Sequence, residues 1–148
     1  MTKALSTCLA LLVTSSITLG VFGEEGGDEA AVRAAVLDYV EGVYDVDPSR
    51  IERSVHPELA KRGFGRDKET KGYYEVPMTF EGLVRLAAGY NKDGHIPQDA
   101  PKEVILYEVL DKTASVKLVA EWGIDYMHLA KYEGQWKIVN VLWQAHPE

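Results

Sequence analysis

The chain has almost no cysteine. Its one copy, Cys8, lies in an apolar N-terminal run, so the remainder has no thiol to serve as nucleophile, disulfide partner or sulfur ligand. Basic charge is also short: 16 Lys and Arg stand against 23 Asp and Glu, a net −7, with no separate basic cluster. Such a surface repels phosphate backbones, and nucleic acid is not an expected partner. The four histidines, His56, His95, His128 and His146, have no HExxH spacing, so no metal is expected. Gly63-Phe64-Gly65 lacks the third glycine and the following helix of a dinucleotide loop. Neither a phosphate-binding loop nor a serine elbow occurs, and no cofactor is expected.

Long apolar runs are missing except at the start. Met1 to Lys3 is basic, Ala4 to Val13 is apolar but slightly too short to span a bilayer, and Ser15 to Gly20 is small and polar. With Val21-Phe22-Gly23 offering small residues before Glu24, residues 1–23 read as a secretory signal peptide. The mature chain is then expected to be periplasmic or secreted, without a membrane attachment. Retention as an anchor is the alternative, and Thr14-Ser15-Ser16 interrupts the apolar stretch that it would need.

What is present suits one globular domain: 148 residues, 46% of them hydrophobic, allow a sizeable core. Residues 24–28, "EEGGD", read as a linker, and 29–146 as the domain. Asp28 is placed to cap a helix whose Ala31, Val32, Ala35, Val36, Tyr39, Val40 and Val43 follow helical spacing. Asp47-Pro48 starts a short helical segment with Ile51 and Val55, ended by His56-Pro57. Leu59 to Phe64 and Tyr73 to Val76 read as strands, and Thr79 opens a helix that ends near Gly89.

From Glu103 to Gln144 only strands follow. Two-residue turns at Asp111-Lys112, Gly123-Ile124 and Glu133-Gly134 pair them in one consistent register. That register puts Ile105, Tyr107, Val109, Ala114, Val116, Leu118, Ala120, Trp122, Asp125, Met127, Leu129, Lys131, Trp136, Ile138, Asn140 and Leu142 on an inner face. Tyr126, His128, Val139, Val141 and Trp143 fall on an outer face whose aromatic and β-branched character marks an interface.

Three strings carry a resemblance: "HPELAKRGF", "MTFEGLVRLAAG" and "DYMHLAKYEGQWKIVNVLW". They resemble the bacterial family called putative lumazine-binding, a branch of the nuclear transport factor 2-like superfamily, over about Asp28 to Gln144. The resemblance implies an α+β cone, a curved antiparallel sheet wrapped around N-terminal helices, with a pocket and often a homodimer through the outer sheet face. Ketosteroid isomerase and scytalone dehydratase belong to the wider superfamily, but no string here matches their catalytic patterns, so activity is an analogy of fold.

Asp125 is the sharpest candidate for chemistry. In the expected register it lies opposite Trp122 and Leu142, whose apolar wall would raise its pKa toward that of a useful base; alternatively it caps a turn. Asn140, opposite Met127, needs a partner, whether a ligand or another protein group. His56 is a candidate second member of a dyad with Asp125, or an ordinary helix stop. Phe64 and Tyr73 are expected to line the cone with Tyr107, Trp122 and Met127. Two main readings follow. One is a binding or accessory protein for a small apolar or aromatic ligand. The other is an isomerase-like or dehydratase-like enzyme in which Asp125 abstracts a proton and Tyr107, Tyr73 or Asn140 stabilises the enolate. A structural dimerisation module is the third.

Overall fold

The computed structural model describes residues 25–147, so the expected signal peptide lies outside the described residues. Helix α1 (Glu25–Tyr44) buries Val32, Ala35, Val36, Tyr39, Val40 and Val43 on one stripe, as their three- and four-residue spacing dictates. It starts ahead of the expected cap. Residues 25–28, expected to be linker, form its first turn, and Asp28 does not cap it. The Asp28 carboxylate instead accepts hydrogen bonds from Lys131 Nζ at 3.0 Å and Trp136 Nε1 at 2.9 Å, which tie the start of the helix to the sheet.

Helix α2 (Pro48–Ser54) begins as its sequence predicts: Asp47 Oδ1 accepts from the Ser49 N–H at 3.1 Å, and Pro48 occupies the first turn, where no N–H is needed. Strand β1 (Val55–Arg66) starts where the helix stops and is longer than expected; β2 (Tyr73–Glu75) pairs with its end. Helix α3 (Phe80–Ala87) is capped by Thr79 Oγ1, which accepts from the Gly82 N–H at 3.1 Å. Four strands complete the fold: β3 (Lys102–Val109), β4 (Thr113–Ala120), β5 (Gly123–Tyr132) and β6 (Gln135–Gln144).

The six strands form one sheet in the order β2-β1-β6-β5-β4-β3, and the helices pack against its inner face. The expected α+β architecture is present with one amendment. Neighbouring strands are antiparallel except β1 and β6, which are parallel, so the sheet is mixed. The core combines the α1 stripe with Ile51, Leu83 and Ala87 and with the inner residues of β4 to β6.

The turn between β4 and β5 is Glu121-Trp122, since Ala120 pairs with Gly123, and not the expected Gly123-Ile124. A β-carbon at Gly123 would lie 2.0 Å from the Gln144 carbonyl oxygen, so this glycine serves close approach of the strands. The register moves by an even number of residues and the faces of β5 are preserved. Asp125 faces inward as expected, but opposite Leu118 and Trp143 instead of Trp122 and Leu142.

A bulge in β6 does change faces. Leu129 pairs with Ile138, whereas His128 pairs with Asn140, leaving Val139 as an extra residue. Because side chains alternate with period two, everything beyond it is exchanged. Val141 is fully buried and Leu142 is 46% exposed; Asn140 turns outward, where its Nδ2 lies 3.2 Å from His128 Nδ1. A second irregularity, between Leu106 and Glu108 in β3, leaves Tyr107 56% exposed and puts Val104 and Leu106 against the core.

Candidate functional site

A cavity of about 110 Å³ lies between α1, α3, β1 and the Glu121-Trp122 turn. Val43, Met78, Leu83 and Leu86 supply aliphatic wall, and Tyr39, Tyr90, Trp122 and Trp143 supply aromatic wall. The indole of Trp122 is held by edge-on contacts with the rings of Tyr39, Tyr44 and Tyr90 at 6.1, 5.6 and 6.3 Å. One cation faces this apolar space: Lys61.

Lys61 points inward because β1 buries alternate residues: Leu59, Lys61, Gly63 and Gly65. Its Nζ donates to the Tyr39 hydroxyl at 2.8 Å and stands 5.3 Å from the Trp143 ring centroid. Behind it lies Asp125, which is fully buried. The Lys61 Nζ to Asp125 Oδ1 distance is 3.8 Å, an ionic contact too long for a hydrogen bond. Asp125 Oδ2 accepts from Trp122 Nε1 at 3.1 Å. Asp125 Oδ1 and Trp143 Nε1 are buried with no hydrogen-bond partner, an acceptor and a donor on paired residues.

Burial opposes both charges of this pair. It pushes the Asp125 carboxyl above its usual range, against the pull of Lys61. The Lys61 ammonium is held below its usual range by the same desolvation, against the favourable charge of Asp125. The Tyr39 phenol is raised well above its ordinary value, first by burial and then by Asp125. The arrangement is therefore a desolvated donor and acceptor chain at the floor of an apolar cavity, and both charged partners have reason to exchange a proton.

The structure brings together Asp125, Trp122 and, by the bulge, Trp143, which was expected on the outer face. It separates the rest. His56 lies at the far end of β1, its ring 4.7 Å from that of Tyr132, and its Nδ1 accepts from the Glu58 N–H, so no His56–Asp125 dyad exists. Met127 belongs to the core and does not line the cavity. Phe64 is 40% exposed and lines a second, larger groove of about 560 Å³, which Lys61 and Met78 also border. Tyr73 is exposed under the Arg66 guanidinium, Tyr107 and Asn140 face outward, and Val141 is core. Tyr126 and His128 remain on the outer face with Val139.

Sequence reasoning missed Lys61. Its signal was present: the lysine in "LAKRGF" is in phase with Leu59, on the side that must be buried. Among the described residues no group of three His, Cys, Asp or Glu is placed to hold a metal, and no helix is long and apolar enough to cross a membrane.

Helices laid against an open six-stranded sheet, with a cavity between them, define a nuclear transport factor 2-like cone. A nuclear transport factor 2-like protein of unknown function from Silicibacter pomeroyi is similar with a TM-score of 0.63, 16% identity, and coverage of 82% of this chain and 98% of that one. One from Shewanella baltica gives 0.61, 17%, 84% and 98%. A structure described as a putative scytalone dehydratase from Novosphingobium aromaticivorans gives 0.54, 11%, 82% and 85%. No curated protein matches the sequence. The model of the family described as "Putative lumazine-binding" matches residues 27–144, and the chain belongs to that family.

Proposed function

We propose that the protein is an extracytoplasmic binding or accessory protein for a small aromatic or apolar molecule that carries a hydrogen-bond acceptor. One observation carries this reading: an aromatic and aliphatic cavity presents Lys61 Nζ, paired with the Tyr39 hydroxyl, at its floor. Apolar walls supply affinity and a few placed polar groups supply orientation. An engineered apolar cavity of about 150 Å³ holds benzene, so a single ring is the size that about 110 Å³ favours. The extracytoplasmic address rests on the N-terminal pattern of residues 1–23, and its test is the N-terminal sequence of protein recovered from the host's extracytoplasmic fraction.

Ligand-observed NMR with benzyl alcohol and native mass spectrometry of protein purified from its host test the binding. Saturation transfer that Leu83→Trp abolishes, or a retained small molecule, is the expected result. Absence of both would overturn the reading.

A second reading is an acid–base enzyme, favoured by the Asp125–Lys61–Tyr39 chain. Asp125 does not line the cavity, so any proton that it takes passes through Lys61 or Tyr39. Asp125→Asn separates the two readings, because it stops turnover by an enzyme and leaves the cavity walls of a binder in place. We further propose a homodimer through the outer sheet face, supported by exposed Tyr126 and by Leu142, its partner across β5 and β6.

A further inference from the structure

We propose that Lys61 captures a small aromatic aldehyde or ketone as a reversible imine, a proposal that rests on the cavity being a ligand site. The geometry separates Lys61 from an ordinary structural ion pair. A lysine kept for its salt bridge would close onto the carboxylate, yet Nζ stands 3.8 Å from Asp125 Oδ1, and that oxygen has no hydrogen-bond partner. The one hydrogen bond that fixes Nζ, at 2.8 Å, runs to a phenol. The Lys61 side chain is 5% exposed and borders the cavity, and its Nζ stands over the rings of Tyr39 and Trp143 at 5.5 and 5.3 Å. Desolvation in such a setting favours the neutral amine, the form with a lone pair to give, and is a recognised route to a nucleophilic lysine.

The step balances without an oxidant or reductant. The Nζ lone pair forms a bond to the carbonyl carbon, and the C=O π pair moves to oxygen. The Tyr39 hydroxyl, in contact with Nζ, gives its proton to that oxygen and recovers one from nitrogen. The carbinolamine then loses its hydroxyl together with the remaining N–H proton, as water, and the electron pair on nitrogen closes C=N. Amine plus carbonyl thus becomes imine plus water, and Asp125 stands as counter-ion if the imine takes up a proton.

The test is trapping. The protein is incubated at neutral pH with limiting benzaldehyde and sodium cyanoborohydride, which reduces an imine to a stable benzylamine, and the labelled lysines are mapped by peptide mass spectrometry. The expected result is labelling at Lys61 exceeding that at exposed Lys68 and Lys92 by about tenfold or more, suppressed by excess benzyl alcohol, which fits the cavity but forms no imine. Tyr39→Phe, with folding checked by circular dichroism, is expected to slow the Lys61 label about tenfold and to leave Lys68 unchanged. Labelling spread evenly over surface lysines, while benzyl alcohol still binds, would overturn the imine and leave the binding function standing. If neither benzyl alcohol binds nor Lys61 is labelled, both fall.

Discussion

Lys61 and Asp125 stand two strands apart in the sheet, with β6 between them, and their charged groups meet at 3.8 Å beneath the cavity floor. The contact works because both side chains lie on the inward phase of their strands and because Gly63 and Trp143, paired across β1 and β6, lie beside them. Breaking such a buried pair from one side leaves an uncompensated charge.

Lys61→Met is therefore expected to destabilise the protein by about 3 kcal/mol at neutral pH, and the loss should depend on pH. The Asp125 carboxyl is raised in the folded state, and removing Lys61 takes away the positive charge that chiefly opposes that rise. A group raised on folding contributes stability below its unfolded pKa that is lost as pH rises through the folded value. Urea denaturation of Lys61→Met should show stability falling as pH climbs from the unfolded carboxyl range, about 4; a flat profile contradicts the buried charge.

The wild type should lose stability on acidification for the opposite reason. Hydrogen bonding from Lys131 and Trp136 holds the Asp28 carboxyl down, Arg53 holds Asp38 down, and Lys102 holds Glu41 down. Stability from depressed carboxyls is present above their unfolded values and is lost as pH falls through the folded ones. Asp28→Asn should flatten this acid limb, as followed by thermal melts between about pH 5 and pH 2.

Cavity size should control ligand size. Leu83 is 1% exposed and lines the wall, so Leu83→Ala should cost about 2–5 kcal/mol. The enlarged space should admit a two-ring probe such as 2-naphthol better than the wild-type cavity does, as compared by saturation-transfer NMR.

The bulge at Val139 makes neighbours behave oppositely. Asn140→Leu should change stability by less than about 0.5 kcal/mol, as an outward substitution does, whereas Val141→Asn buries an unpartnered amide and should cost about 2 kcal/mol or more. Equal effects in chemical denaturation would mean that β6 runs without its extra residue.

Gly63 is where β1 meets the indole. A β-carbon there would lie 2.2 Å from the Trp143 carbonyl oxygen and 2.3 Å from the Trp143 ring. Gly63→Ala should therefore push Trp143 off the cavity wall, lower stability by about 1–3 kcal/mol, and change the near-ultraviolet circular dichroism.

The amino-acid pattern alone determined the layers: the α1 stripe, the two capped short helices, the run of strands after Glu103 and the inward phase of Asp125. These are local consequences of spacing and of cap and turn chemistry, and they survive an error in a turn so long as the shift is even, as at Glu121-Trp122. Lys61 was within reach of the same alternation, but a lysine on a buried phase conflicts with its expected cost of desolvation, and only the nearby Asp125 and Tyr39 make the position tenable. The tertiary structure decided the rest. A bulge inserts one residue without a mark in composition, so Asn140 and Tyr107 left the inner face while Val141 and Trp143 joined it. Whether a side chain meets a cavity depends on strands and helices distant in the chain: His56 sits near the start of β1, beside Tyr132, whereas Asp125 meets Lys61 further along the same strand.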